Sequence, residues 1–232
     1  MPVFALNEEI VFPPARFADP SGILAVGGDL SPERLLLAYR SGIFPWYSDD
    51  DPIIWWSPDP RFVLFPDELY VSKTMRQVLN RKLFDITLDR DFRGVILGCQ
   101  EPRKKENGTW ITEEMLEAYV RLHELGYAHS VEAWRDGELA GGLYGISLGR
   151  CFFGESMFTR TSNASKAALI VLVRTLKKFG FLIIDSQVYT GHLETLGARH
   201  IPREEYLEYV RRGCAEDTIR GSWENMLVES PR

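Results

Sequence analysis

The chain has 232 residues, 45% hydrophobic and 26% charged, proportions ordinary for a globular protein with room for one large domain or two unequal ones. Its formal charge of −6 argues against a protein that coats nucleic acid through bulk positive charge, and no apolar run approaches the roughly 20 residues that span a bilayer. Cys99, Cys151 and Cys214 are far apart and the four histidines lack ligand spacing, so the expectation is a cytoplasmic protein with no membrane segment, disulfide framework, metal or other cofactor.

Residues 1–60 are punctuated by Pro and Gly: FPP at Phe12, DPSG at Asp19, GGD at Gly27 and SPDP at Ser57. This leaves room for one clear helix, SPERLLLAYRSG, with Ser31 as N-cap, Pro32 in the first turn and Gly42 as the stop. A small, turn-rich N-terminal domain is expected. Its GIFPWY and IIWWSPDPR segments concentrate Trp46, Trp55 and Trp56 beside prolines, stiff surfaces suited to core packing or to stacking on a flat group.

From Phe62 the pattern becomes a regular mixture of helix and strand. SKTMRQVLNR reads as a helix capped by Ser72, and TWITEEMLEAYVRLHELG as another capped by Thr112, with Glu113 and Glu114 in its first turn and Gly126 as its stop. The segment from His129 to Phe158 alternates polar and apolar residues around Asp136-Gly137 and Leu148-Gly149, which implies at least three antiparallel strands. TSNASKAALIVLVRTLKKFG follows as a helix capped by Ser162 or Asn163, and FLIIDSQVY as a short apolar strand. Basic residues cluster at Lys73, Arg76, Arg81 and Lys82, at Arg103-Lys104-Lys105, and at Arg174, Lys177 and Lys178; such runs are ordinarily solvated faces.

The third strand, CFFGESMF, carries one carboxylate among aromatics. Strict alternation puts Phe153, Glu155 and Met157 on one face and Phe152, Ser156 and Phe158 on the other. A carboxylate on an apolar face is costly unless it meets a donor or a cation, so Glu155 is satisfied within the core, faces water where the sheet is uncovered, or is part of a site. FLIIDSQVY repeats the oddity, with Ile183, Asp185 and Gln187 on one face. If the two strands are neighbours, Glu155, Asp185 and Gln187 converge at a strand end, where ligands commonly sit in open mixed sheets.

Taken in order, GGDLSPERLLLAYRSGIFPWY, WWSPDPR, TWIT, HSVEAW, GGLYGISLG, GESMF, NASKAAL, IDSQ and HLETLGARHIPR resemble the leucyl/phenylalanyl-tRNA–protein transferase family from about Phe12 to about Tyr209. The resemblance implies an α+β fold: the small domain of residues 1–60, then a catalytic domain of residues 61–232 with a mixed sheet similar to that of GNAT N-acetyltransferases. It implies an aminoacyltransferase that moves Leu or Phe, and less readily Met, from aminoacyl-tRNA to proteins with N-terminal Arg or Lys, marking them for degradation. A monomer is expected. Glu155, Asp185 and Gln187 match catalytic positions; Phe152, Met157, Leu169, Ile184, Leu143 and Leu172 match the aminoacyl pocket. Trp46 and Trp110 match positions near the terminal adenosine, and Tyr39 and Tyr119 their neighbours. The cluster Lys73, Arg76, Arg81 and Lys82 is the candidate contact for acceptor-stem phosphates.

Two other classes fit part of the pattern. An acyl-coenzyme A N-acetyltransferase would want a glycine-rich pyrophosphate loop before the helix, and RTSNASKAA has no glycine. A non-catalytic module for N-terminal residues would need an apolar pocket and an acid, but not Trp46, Trp110 and the basic clusters.

Overall fold

The computed structural model describes residues 3–104 and 111–227, without the side chains of residues 102–104. The first sheet comprises β1 (Phe4–Leu6), β2 (Ile23–Gly27), β3 (Phe44–Pro45) and β4 (Ile54–Trp56), ordered β1-β2-β4-β3. Between β2 and β3 lies α1 (Pro32–Arg40), where Ser31 accepts from the Arg34 N–H at 3.4 Å and Gly42, at φ 72°, makes the exit that a side chain would strain. The sequence predicts this helix but not the sheet, because strands of two to five residues broken by Pro and Gly are too short to show a period of two.

The chain passes to a second sheet between Trp56 and Arg61. Its strands are β5 (Arg61–Leu64), β6 (Asp85–Leu88), β7 (Ala128–Arg135), β8 (Glu138–Leu148), β9 (Cys151–Thr159), β10 (Ile183–Asp185) and β11 (Arg199–Ile201), in the order β11-β5-β10-β9-β8-β7-β6. The β10–β9 pair is parallel and the other pairs are antiparallel, so the fold is α+β with a mixed sheet. The β7–β8 turn is Asp136-Gly137, at φ 53° and 82°, the left-handed pair that a two-residue hairpin requires.

Among the described residues six helices accompany this sheet: α2 (Lys73–Asn80), α3 (Phe92–Lys104), α4 (Glu113–Glu124), α5 (Ala164–Lys178), α6 (Gly191–Glu194) and α7 (Arg203–Gly213). Ser72 and Thr112 cap α2 and α4 as predicted, whereas Asn163 stands at the α5 cap in left-handed conformation and makes no capping bond. The hydrophobic residues form two cores on opposite faces of the long strands. One joins the first sheet and α1 to α3, α4 and α7 through residues such as Trp55, Tyr39, Val95, Tyr119 and Tyr206, with Phe153 and Phe158 from β9. The other packs α2 and α5 against Leu143 and Phe152 and is closed by Trp223. Among the described residues no helix is long and apolar enough to cross a membrane.

Candidate active site

Strands β9 and β10 pair only over Cys151–Phe153 opposite Ile183–Asp185; beyond that point β10 ends while β9 continues beside β8 to Thr159. Two local features part the chains. On β9, Ser156 faces Tyr144 and Gly154 faces Gly145, so Glu155 is the extra residue of a β-bulge. After β10, Gln187 takes φ 57°, a left-handed turn held by its own N–H, which donates to Asp185 Oδ1 at 2.9 Å. A cavity of about 490 Å³ opens between the diverging segments, lined by Gly154–Thr159 on one side and Ser186–Val188 on the other.

The bulge corrects the expected strand faces. It shifts the alternation by one residue, so Met157 packs with the core of Phe152, while Phe158 joins that of Phe153. Leu143 and Met157 then stand opposite each other on neighbouring strands, both on the cavity wall. Asp185 and Gln187 do not share a strand face either, because β10 stops between them.

Glu155 lines the cavity and is half-buried. The Tyr39 hydroxyl lies 2.7 Å from Oε1, the Tyr119 hydroxyl 2.9 Å from Oε2, and the two hydroxyls are within hydrogen-bonding distance of each other; two phenol hydrogens fill two of these contacts, and the proton of the neutral carboxyl fills the third. Gln187 Nε2 makes a longer bond, 3.4 Å, to Oε1. Burial pushes the Glu155 carboxyl up to about 7, against the two tyrosine hydrogen bonds, which favour the charged form; the Asp185 charge adds to the rise and Arg61 opposes it. Both tyrosines are held well above their usual range, first by burial and then by the Glu155 charge, so they remain donors. Neither Tyr39 nor Tyr119 has exposed surface; they stand behind Glu155 and anchor it.

Asp185 is fully buried and stands apart from the cavity lining. Arg61 grips it bidentately, Nε to Oδ1 at 2.8 Å and Nη2 to Oδ2 at 2.7 Å, and Tyr206 donates to Oδ2 at 2.8 Å. With Gln187 N–H as a further donor, this carboxylate has its partners within the protein. Its link to the cavity runs through the Gln187 N–H.

Phe152, Met157, Leu169, Ile184 and Leu143 all line the cavity, while Leu172, fully buried, belongs to the core behind it: Ser165 and Leu169 lie one turn apart on the α5 face that reaches the cavity, and Leu172 falls beyond that contact. Trp46 also lines the cavity, with 40% of its surface exposed. Trp110 and Lys105 lie outside the described residues, as do the side chains of Arg103 and Lys104. Lys73, Arg76, Arg81 and Lys82 are exposed on and just after α2, which packs on α5. Among the described residues no group of three or more His, Cys, Asp or Glu is placed to hold a metal ion.

Other contributors were not predicted. Phe44 and Pro45 from the first sheet, Ser165 from α5, and Thr190, His192 and Leu193 around α6 complete the lining. Their segments, GIFPWY, NASKAAL and HLETLGARHIPR, are among the motifs that carry the resemblance, but hydroxyls and a lone histidine have no spacing signal. The Arg61–Asp185 pair joins residues 124 positions apart, which sequence pattern alone does not connect.

A family profile described as leucyl/phenylalanyl-tRNA protein transferase matches residues 63–211, and one for the N-terminal domain of that transferase matches residues 28–59. A leucyl/phenylalanyl-tRNA–protein transferase of Syntrophus aciditrophicus (strain SB) is 62% identical over 96% of this chain and 94% of its own. Another, from Myxococcus xanthus (strain DK1622), is 53% identical over the whole of both chains. A solved GCN5-related N-acetyltransferase from Anabaena variabilis ATCC 29413 aligns over 77% of this chain and 43% of its own at 10% identity, with a TM-score of 0.43, a likeness too loose to carry an argument.

Proposed function

The chain belongs to the leucyl/phenylalanyl-tRNA–protein transferase family, enzymes that pass an aminoacyl group from tRNA to a protein, and from that premise we propose that it moves Leu or Phe, and Met less readily, to an N-terminal Arg or Lys. On this reading it acts as a monomer in the cytoplasm and marks its acceptors for degradation. The observation that carries the proposal is the cavity itself: an apolar wall of Leu143, Phe152, Met157, Leu169 and Ile184 beside one carboxylate, Glu155, and one amide, Gln187. Such walls adapt to Leu, Phe or Met, while a charged side chain entering them would leave its water without partners.

The ester that links an amino acid to tRNA is already activated. The acceptor's α-amine attacks its carbonyl carbon; the C–N bond forms, the C–O bond to the ribose breaks, and the ribose oxygen leaves as a hydroxyl after gaining a proton. The amine must first shed a proton, and Glu155, with a pKa of about 7, is matched to take it at neutral pH and return it to the leaving oxygen. Gln187 has no useful basicity; from the turn that Asp185 fixes, its amide orients the amine or the carbonyl. Trp46 offers an exposed ring to the terminal adenine, and the cations on and just after α2, Lys73, Arg76, Arg81 and Lys82, with Trp110, complete the proposed tRNA contact.

The test is transfer of labelled Leu from Leu-tRNA to a peptide beginning with Arg and to one beginning with Ser, for the native chain and Glu155→Gln. Transfer to the Arg peptide alone, with a rate that rises through about pH 7 in the native chain and falls at least about 100-fold in the variant, is expected for a general base. An intact Glu155→Gln rate would remove Glu155 from that role, and Arg-peptide binding without transfer would favour a recognition module.

A further inference from the structure

Ser165, the second residue of α5, lines the cavity on the same helix face as Leu169, and the chemistry proposed above leaves it unused. It is only 4% exposed, and its hydroxyl makes no hydrogen bond among the described residues. Unlike the sealed hydroxyls of Ser57, Ser147 and Thr175, its Oγ keeps contact with solvent, and that contact opens on the cavity. The backbone beside it is also unfilled. Asn163 makes no capping bond, and among the described residues the N–H groups of Ser165 and Lys166 have no acceptor, whereas that of Ala164 donates to the Thr161 carbonyl at 3.0 Å. Two backbone donors and a hydroxyl at the positive end of a 15-residue helix favour an oxygen that carries negative charge.

The surroundings restrict what that oxygen is. No acidic residue stands in the first turn of α5, but Lys166 does, and its Nζ lies 3.3 Å from Thr195 Oγ1, beside the α6 residues that line the cavity. A cation at this end of a helix works against the dipole unless an anion joins it. The acceptor's N-terminal residue brings positive charge, which this end repels. The donor brings two candidates: the ester carbonyl as it takes up charge, and the phosphate on the 5′ side of the terminal nucleotide. Position separates them. A Cβ on Gly141 would lie 3.1 Å from Ser165 N, so α5 starts against β8 at Gly141, which faces Thr159. Glu155 bulges out beside Ser156, which faces Tyr144, three residues or about 10 Å further along β8. The ester carbonyl must stay within reach of an amine held at Glu155, whereas the phosphate lies across the sugar from the 3′-ester. We propose that Ser165 Oγ and the N–H groups of Ser165 and Lys166 bind a phosphate oxygen on the 5′ side of the terminal nucleotide, with the Lys166 ammonium facing its charge. The inference rests on the aminoacyl-tRNA reading of the same cavity.

The experiment is a two-by-two cycle: native chain and Ser165→Ala, each with a non-reacting adenosine analogue whose leucyl group is joined to C3′ through an amide, with or without a 5′-(methyl phosphate). Kd is read together with the melting temperature and with single-turnover transfer from Leu-tRNA to the Arg peptide. The phosphate is expected to tighten Kd about tenfold in the native chain and no more than about twofold in Ser165→Ala. Ser165→Thr is expected to restore part of the gain, and Lys166→Met to lower it and weaken its dependence on salt. Ser165→Ala is expected to melt no lower than the native chain, because the hydroxyl removed has no partner in the free protein. A gain that survives Ser165→Ala would overturn the assignment, and so would a loss equal for both analogues, which would place the hydroxyl on the ester carbonyl or the sugar. A native chain that transfers Leu but gains nothing from the phosphate would defeat this site and leave the transferase reading standing; one that shows the Ser165-dependent gain but transfers nothing would do the reverse.

Discussion

Glu155 is held by two tyrosine hydroxyls that favour its charge inside surroundings that disfavour it, and the second influence wins. Its folded pKa, about 7, lies above the ordinary carboxylate value of 4.5, so between those values the folded chain keeps a proton that the unfolded chain has released. Stability from this group is therefore fully present below about pH 4.5, declines as pH rises, and is lost above about pH 7. Glu155→Gln, which keeps a carbonyl acceptor for one tyrosine but cannot ionise, is expected to match the native chain near pH 4 and to exceed it by about 2 kcal/mol at pH 8, a figure reduced for the partial exposure of the side chain. Urea midpoints measured from pH 4 to 8 test this; a difference that does not vary with pH would mean that the carboxyl is not held protonated by the fold. The same substitution is expected to remove transfer, so a more stable and less active variant would mark the site as one where charge is kept against the interest of stability.

At the scale of the element, the bulge in β9 decides what the site contains. Two glycines face each other beside it, and they differ. A Cβ on Gly145 would lie 2.2 Å from the Phe153 carbonyl oxygen and 2.7 Å from the Phe152 ring, whereas one on Gly154 would meet only the Asp185 carbonyl oxygen, at 3.6 Å. Gly145→Ala is expected to cost about 3 kcal/mol through overpacking, and Gly154→Ala less than about 1 kcal/mol. Because Gly154 lines the cavity, its added methyl is expected to lower transfer while leaving the melting curve in place; equal destabilisation by both would contradict the bulge geometry. These are also the features the sequence conceals. β7, β8, β9, α4 and α5 are legible because they are long, periodic and bounded by turn or cap residues. A bulge adds one residue and leaves no mark in composition, so strict alternation misplaces Met157 and Phe158. Helix α3 is hidden by Gly94 and Gly98, residues that argue against a helix; a Cβ at Gly98 would lie 2.6 Å from the Phe158 ring, so glycine there serves packing and not a turn. The candidate carboxylates were legible as polar residues in apolar strands, but the division between one that faces the cavity and one that is locked away depends on Arg61, far off in sequence.

Across the whole molecule, Arg61 ties the first sheet, the second sheet and α7 together at one buried point. It begins β5, grips Asp185 at the end of β10, lies 4.7 Å from the Phe44 ring of the first sheet and 4.5 Å from the Tyr206 ring of α7, and donates to the Gly42 carbonyl at 3.4 Å. Both partners of the ion pair are fully buried, so Coulomb attraction is opposed by the loss of water around two charges. The pair is therefore a weak source of net stability but a strong source of damage when half of it is removed. Arg61→Met and Asp185→Leu are each expected to lose about 3–5 kcal/mol, and the double variant to recover most of that loss, because no uncompensated charge remains. Transfer is expected to behave otherwise. Without the Asp185 carboxylate the Gln187 N–H loses its acceptor, the left-handed turn at φ 57° loses its hold, and the amide no longer meets Glu155. Urea unfolding and single-turnover transfer of the three variants separate the two roles: stability regained without activity fits a positioning pair, whereas activity regained together with stability would show that the pair does no more than hold the sheets together.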